Sequence, residues 1–159
     1  MDCPDAIISA YGLAPHPEGG WYREFHRSRT AFGNLPGYPG PRAAATAIYF
    51  CLKQGEFSAF HRLRSEETWI HLAGGPLELA LLDDRGARRE RIASVADGGP
   101  PAAVVPAATA QAARPAGAFA LAACIVAPGF DFADFALLAR DDLLAAFPGS
   151  AELVLSLTR

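Results

Sequence analysis

Between Phe60 and Gly75 the chain reads FHRLRSEETWIHLAGG, and His61, Glu66, Glu67 and His71 are the residues in it that can do chemistry. An imidazole titrates near neutrality, and a neighbouring carboxylate both orients it and raises its pKa, so a histidine and a glutamate on one cavity can exchange protons with a ligand. The same side chains can also ligate metal. In a strand, residues two apart share a face: Glu67, Trp69 and His71 point together, and Phe57, Ala59 and His61 do so on the strand before. If that face lines an interior, a carboxylate, an indole and two imidazoles converge there. A glutamate buried beside a histidine is costly unless it is paired or used. For Trp69 the alternative is plain core, and for His71 a satisfied core hydrogen bond.

The elements that must position these side chains are marked by patterning and punctuation. DAIISAYGL places Ile7, Ile8, Tyr11 and Leu13 at near-helical spacing and predicts a short helix from about Pro4 to Tyr11. WYREFHRS alternates Trp21, Arg23, Phe25 and Arg27 against Tyr22, Glu24, His26 and Ser28, as a strand does. FGNLPGYPGPR, rich in proline and glycine, cannot hold a regular ladder and is expected to be a mobile surface connection. From Ala43 onward short strands succeed one another: AATAIYFCL, EFSAFHRL, ETWIHLAG, LELALLD, RRERIAS, AAVVPA, TAQAARP and FALAACIVA. KQGE, GGP, DDRG, DGGPP and PAG divide them. Short strands at regular spacing, with no long helical pattern between, argue for an all-β sandwich or barrel. Near the end Asp141 and Asp142 mark a helix start, Leu143, Leu144 and Phe147 share a side, and Pro148 and Gly149 stop it, so one C-terminal helix is expected.

A chain of 159 residues suits one domain over 1–159, able to bury roughly two thirds of its unfolded surface without a disulfide or a metal. Its 14 Lys and Arg against 17 Asp and Glu leave no electrostatic footprint for nucleic acid. No basic-then-apolar leader opens the chain, and no apolar run approaches the roughly 18 residues of a membrane span. A cytoplasmic protein with no membrane partner is expected. Cys3, Cys51 and Cys124 are odd in number, widely separated and show no CxxC or Cys/His spacing of a zinc site, which argues against a disulfide framework. Cys51 and Cys124 sit in apolar runs and read as small buried hydrophobes.

His61 lies six residues before Glu67, and six residues separate Glu67 from Gly74. That is the shape of the first cupin motif, in which H-x-H, a short loop, E and G follow in order, with Leu63 here in place of the second histidine. The second motif, P-x-G-x-x-H, falls on VVPAATAQAA: Pro106 is kept, Ala108 replaces the glycine and Gln111 the histidine. Together with PHPEGGWYRE, TAIYF, FSAFHRL followed by SEETW, QAARP and VAPGFDFADF, these pieces resemble, over nearly the whole chain and in order, a cupin-superfamily family catalogued as a domain of unknown function. The resemblance implies a double-stranded β-helix, the jelly-roll barrel also used by dTDP-sugar epimerases, with short N-terminal and C-terminal helices and usually as a homodimer. It implies no particular reaction.

On that fold His61 and Glu67 are the candidate catalytic pair, and Tyr49, Trp69, His71, Gln111 and Arg23 the candidate ligand-binding residues. A firm iron, manganese or zinc site takes at least three His or carboxylate ligands. Gln111 offers only a neutral amide oxygen, and His71 lies about 13 Å along the strand from Glu67 at roughly 3.3 Å per residue. No metal and no other cofactor is therefore expected. Proton abstraction beside a carbonyl is the simplest chemistry for such a pair, which makes a metal-independent epimerase or isomerase of a small sugar or nucleotide-sugar-like ligand the first reading. A non-catalytic small-ligand-binding module is the alternative, and a metal-dependent cupin enzyme the third. Asp131 and Asp134 can orient a histidine or cap their own loop, and Glu18 and Arg23 can border the opening, with Gly19 and Gly20 making a tight turn.

Overall fold

The computed structural model describes residues 3–159. Helix α1 (Pro4–Tyr11) stands where the apolar spacing puts it and opens on a proline, whose missing N–H has no intrahelical partner to lose. The strands that follow are β1 (Ala14–Pro15), β2 (Trp21–Arg27), β3 (Ala31–Phe32), β4 (Arg42–Ala43), β5 (Thr46–Lys53), β6 (Ser58–Leu63) and β7 (Glu66–Gly74). After them come β8 (Leu77–Asp83), β9 (Gly86–Ile92), β10 (Ala102–Val105), β11 (Ala110–Pro115), β12 (Phe119–Ala127) and β13 (Phe135–Leu137). A six-stranded sheet has the order β1-β2-β5-β12-β7-β10, and a five-stranded sheet the order β13-β6-β11-β8-β9. Their ladders are antiparallel throughout, and the two sheets close into a jelly roll.

Alternation along each strand sorts its side chains between the inside and outside of this barrel. Inside, Phe50, Leu52, Trp69, Leu77, Leu79, Leu81, Ile92 and Ala122 form the main core. Outside the six-stranded sheet, α1 lays Ile7, with Leu13 just beyond it, over Cys51, Phe119 and Leu121. Outside the five-stranded sheet, α2 (Arg140–Ala146) and α3 (Ala151–Ser156) bury Leu143, Leu153 and Val154 against Phe60, Ala80, Leu82 and Ala112. Helices of seven and six residues are not stable alone. Burial of such side chains, about 1.5–3 kcal/mol each, is what holds them.

Two expectations need correction. The C-terminal region holds two short helices joined by a 3-10 turn at Pro148–Ser150, where the sequence predicts one, because the chain resumes helical geometry directly after the Pro-Gly stop. The Pro- and Gly-rich segment is a surface connection, but it is anchored: Tyr38 shares a hydrogen bond with Ser65 at 2.9 Å, and Arg42 reaches Asp134 at 2.6 and 3.0 Å. Ala108, standing where the motif has glycine, has a φ of +61°. Among the described residues no helix is long and apolar enough to cross a membrane.

Candidate active site

One end of the barrel is filled by the apolar core, and the other holds a cavity of about 320 Å³. The strand phases decide what lines it. Thr46, Ile48 and Phe50 face in from β5, Glu67 and Trp69 from β7, His61 and Leu63 from β6, Cys124 and Val126 from β12, and Tyr22 and Glu24 from β2. The wall is completed by the turn before β2, which carries His16 and Glu18, and by the Phe130–Phe132 segment after β12.

The Ala14–Gly20 turn is built to point inward. His16 N–H donates to Gly20 O at 3.0 Å and Gly19 N–H to His16 O at 2.9 Å, while Ala59 N–H donates to Glu18 O at 2.8 Å and fastens the turn to β6. Gly19 and Gly20 take φ of +109° and +71°, and a Cβ on Gly20 would stand 2.7 Å from Leu52 and 2.9 Å from the Cys51 carbonyl. Only glycine fits both demands.

Inside, Glu18 bridges two imidazoles. Its Oε2 lies 3.4 Å from His16 Nδ1 and 3.5 Å from His61 Nε2, and its Oε1 accepts from Ser58 Oγ at 2.8 Å. These separations would suit ion pairs, but burial acts against every charge in the group. Burial pushes the Glu18 carboxyl up to about 8, with Ser58 and Arg159 opposing, and lowers His16 to about 4, with help from His61. His61 is likewise lowered by burial, against the pull of Glu67 and of its hydrogen bond to Ala59. At neutral pH both imidazoles and the Glu18 carboxyl are therefore uncharged, with the Glu18 carboxyl facing His61 Nε2 and the His16 Nδ1 lone pair taking the Glu18 backbone N–H. Ion pairing does not describe the group.

Glu67 sits opposite on β7, and burial raises it to about 7, against the His61 charge and the donors Gln111 and Trp69. Gln111 Nε2 donates to Glu67 Oε2 at 2.7 Å, and Trp69 Nε1 donates to Gln111 Oε1 at 3.1 Å. Gln111 thus holds the Glu67 carboxyl from behind the wall and does not itself line the cavity. Trp69, whose ring meets Phe50 edge-on at 5.5 Å, contributes both core and cavity surface.

The other candidates lie elsewhere. Tyr49 and Arg23 are on the outer face, where Tyr49 stacks on Phe25 at 4.3 Å and contacts Tyr11 of α1, while the Arg23 guanidinium lies over the Tyr49 ring. The reason is phase: on β5 and β2 the inward positions are Ile48 and Phe50, Tyr22 and Glu24. His71 lies further along β7 than the cavity, beside a register shift, and its Nε2 meets the Gly75 carbonyl at 3.0 Å. Asp134 is taken by Arg42 and Arg64, and Asp131 caps its own turn at Ala133 N–H while also lining the cavity. His16 has no periodic signal to mark it. Its only trace in the sequence is the PHPEGG turn itself.

A metal does not fit this donor set. Leu63 fills one inward position, Gln111 holds Glu67 from another, and the His16 Nδ1 lone pair accepts the Glu18 N–H at 3.3 Å. His16, Glu18 and His61 lie together, but among the described residues no group of three His, Cys, Asp or Glu side chains is arranged to hold a metal ion.

A two-sheet antiparallel jelly roll with a mostly apolar cavity at one end, into which a few polar side chains converge, is the architecture of a cupin. The chain belongs to the family described as Cupin superfamily (DUF985), whose model matches residues 5–138. It is similar to a crystal structure of a Shewanella oneidensis protein, 35% identical over 100% of this chain and 99% of that one, with a TM-score of 0.89. A hypothetical protein from Leishmania major is 30% identical over 97% of each chain, with a TM-score of 0.88. The oxalate decarboxylase of Lactobacillus farciminis, solved as a formate complex, is 19% identical with a TM-score of 0.59 over 91% of this chain and 41% of its own, a likeness of fold alone. No curated protein matches the chain.

Proposed function

We propose that the cavity takes a small, uncharged, sugar-sized ligand and that Glu67 and His61 exchange a proton with it, making the protein a metal-independent isomerase or epimerase. The observation that carries this reading is the Glu67 carboxyl: burial brings its titration to about 7, where a general base works best, and it opens onto the cavity wall that His61 shares. Size and charge narrow the ligand. A volume of about 320 Å³ stands at the low end of the roughly 300–1,000 Å³ of ligand pockets, room for a monosaccharide more than for a nucleotide sugar. The guanidinium that lines the cavity, Arg27, is already bound to Glu24 and the Phe130 carbonyl, which leaves little for a diphosphate.

The test is exchange of solvent deuterium into the carbon-bound hydrogens of a panel of unphosphorylated aldoses and ketoses, read by NMR. Exchange is expected with at least one sugar and is expected to fall at least a hundredfold in Glu67→Gln, whose amide keeps the shape but cannot accept the proton. Binding without exchange in the native protein would favour the second reading, a non-catalytic binding module, which the aromatic lining of Tyr22, Phe50 and Trp69 also supports.

A cytoplasmic homodimer completes the proposal. Three free cysteines suit a reducing compartment. β1 covers only Trp21 and Tyr22 of β2, leaving the rest of that edge open beside an exposed Phe25, and such edges are commonly covered by pairing. Light scattering at micromolar concentration should give about twice the 16.8 kDa chain mass, and a monomer throughout would remove this part.

A further inference from the structure

His16 presents to the cavity a nitrogen that makes no hydrogen bond to the described residues. His16 is 9% exposed, and its Nδ1 faces the backbone N–H of Glu18 at 3.3 Å. An amide N–H only donates, so Nδ1 carries the lone pair and the hydrogen of the neutral ring is on Nε2. No hydrogen bond to Nε2 is found among the described residues, and none of their enclosed side-chain polar atoms is left without a partner. Nε2 is therefore reachable from the cavity that His16 lines. Its ring is held from several sides: edge-on to Tyr22 at 4.5 Å and Phe135 at 5.8 Å, and stacked on Phe132 at 6.2 Å.

His61 is set the opposite way. Its Nδ1 donates to the Ala59 carbonyl at 2.9 Å, which leaves Nε2 as a lone pair. Across Glu18, then, one imidazole offers the cavity an N–H, while the lone pair of the other faces the Glu18 carboxyl. With Glu67 on the same cavity, the site pairs a neutral donor with a proton acceptor.

We infer that His16 is a catalytic residue whose Nε2–H binds the carbonyl oxygen of an α-hydroxy carbonyl substrate, an open-chain ketose or aldose. The inference rests on the isomerase reading above and names its substrate class. In the step, the Glu67 carboxylate takes the proton from the carbon next to the carbonyl, and the C–H electrons form the carbon–carbon double bond. The carbonyl π electrons move to oxygen, where His16 Nε2–H stabilises the growing charge without giving up its proton. Return of that proton from Glu67 to the neighbouring carbon, after the hydroxyl proton has shifted to the charged oxygen, gives an isomer and restores the Glu67 carboxylate. A neutral imidazole suits this role because it has its proton at all working pH values, and burial lowers its protonation to about 4. The titratable groups facing the ring are Glu18, His61 and the Tyr22 phenol, and of these Glu18 and His61 are uncharged at neutral pH in this setting.

The experiment uses the full chain labelled with ¹⁵N, with erythrulose as the carbonyl probe and erythritol as its polyol counterpart. Long-range ¹H–¹⁵N correlation is expected to find His16 protonated on Nε2 alone from pH 5.5 to 8. Erythrulose should shift that resonance and bind at least tenfold more tightly than erythritol. His16→Phe, which keeps an aromatic ring without the donor, should erase the preference, and His16→Gln, which restores an N–H, should recover part of it. An Nδ1–H tautomer, a protonated ring, or equal binding of the two probes by the native protein would overturn the inference, including where Glu67-dependent exchange persists. Loss of the exchange reading alone, with the erythrulose shift and preference intact, would leave His16 as the carbonyl-binding residue of a non-catalytic module and overturn the step.

Discussion

The folded protein is expected to lose about 2 kcal/mol of stability as the pH rises from 6.5 to 8, and Glu18→Gln is expected to remove most of that loss. The folded state holds the Glu18 proton up to about 8 and the Glu67 proton up to about 7, whereas an unfolded glutamate releases it near 4.5. Between those values the native state binds more protons than the unfolded one, so stability falls with rising pH. The imidazoles act in the opposite sense. His16 is lowered from 6.5 to about 4, and His61 is lowered as well, so below 6.5 the unfolded state binds more protons at these two sites and stability rises with pH. Two carboxyls and two imidazoles thus largely offset each other from about pH 4.5 to 6.5, and above 6.5 the opposition of the imidazoles fades and the carboxyls dominate. One proton contributes about 1.4 kcal/mol per pH unit, which gives the figure above over 1.5 units.

The Glu18→Gln variant would have no carboxyl proton to lose at this position. The new amide oxygen can still accept from Ser58, and the amide nitrogen carries a hydrogen for the lone pair of His61, so the fold keeps its contacts. Denaturant midpoints at pH 6, 7 and 8 make the comparison. A native protein whose midpoint does not fall toward pH 8 would show that the Glu18 carboxyl is solvated and the bridge is not formed. The same measurement on Glu67→Gln should remove only the smaller portion that ends near pH 7.

How far the sequence reveals this site depends on the range of the interactions involved. Alternation on β7 and β6 is local and puts Glu67 with Trp69, and His61 with Ala59, on common faces. What it leaves open is which face is inside when both are covered. On β5 the outer residue Cys51 is as buried as Phe50 and Leu52, because α1 packs over it. No polarity difference marks the phase, so Tyr49 reads as a cavity residue although it faces outward. Arg23, paired beside it on β2, misleads in the same way. On β11 the signal is clear, since Gln111 stands at a motif position. The helix Ala151–Ser156 is only six residues long, too short for a period to stand out after a Pro-Gly stop. His16 and Glu18 are harder still. They reach the cavity only because a turn far from β6 in sequence is fastened to it by the Ala59 N–H bond to Glu18 O. The two glycines are legible as a turn, but the direction of that turn depends on a contact about forty residues away, which no local pattern encodes.

That dependence can be tested at Gly19. Its φ of +109° is a conformation L side chains rarely adopt, and a Cβ there would overlap the Phe57 carbonyl and the Arg159 guanidinium. The guanidinium belongs to an exposed, flexible side chain and can move, but the carbonyl belongs to the backbone leading into β6 and cannot move without taking Ser58 and Ala59 with it. Gly19→Ala therefore has two routes: it keeps the turn and carries the strain, or it lets the turn swing away from β6. Either should cost about 3 kcal/mol, the upper range for a residue forced into a sparsely allowed backbone region. The pH profile separates them. With the turn in place, Glu18 stays buried and stability still falls from pH 6.5 to 8. With the turn displaced, Glu18 meets water, its pKa returns toward 4.5, and that part of the slope disappears along with the His16 donor. We expect the second route, because a backbone overlap is relieved more readily by moving a short turn than by shifting a strand in the middle of a closed barrel. A variant as stable as the native protein, with the full alkaline slope, would mean that Gly19 is not held in this conformation and that the turn is not what delivers Glu18 and His16 to the cavity.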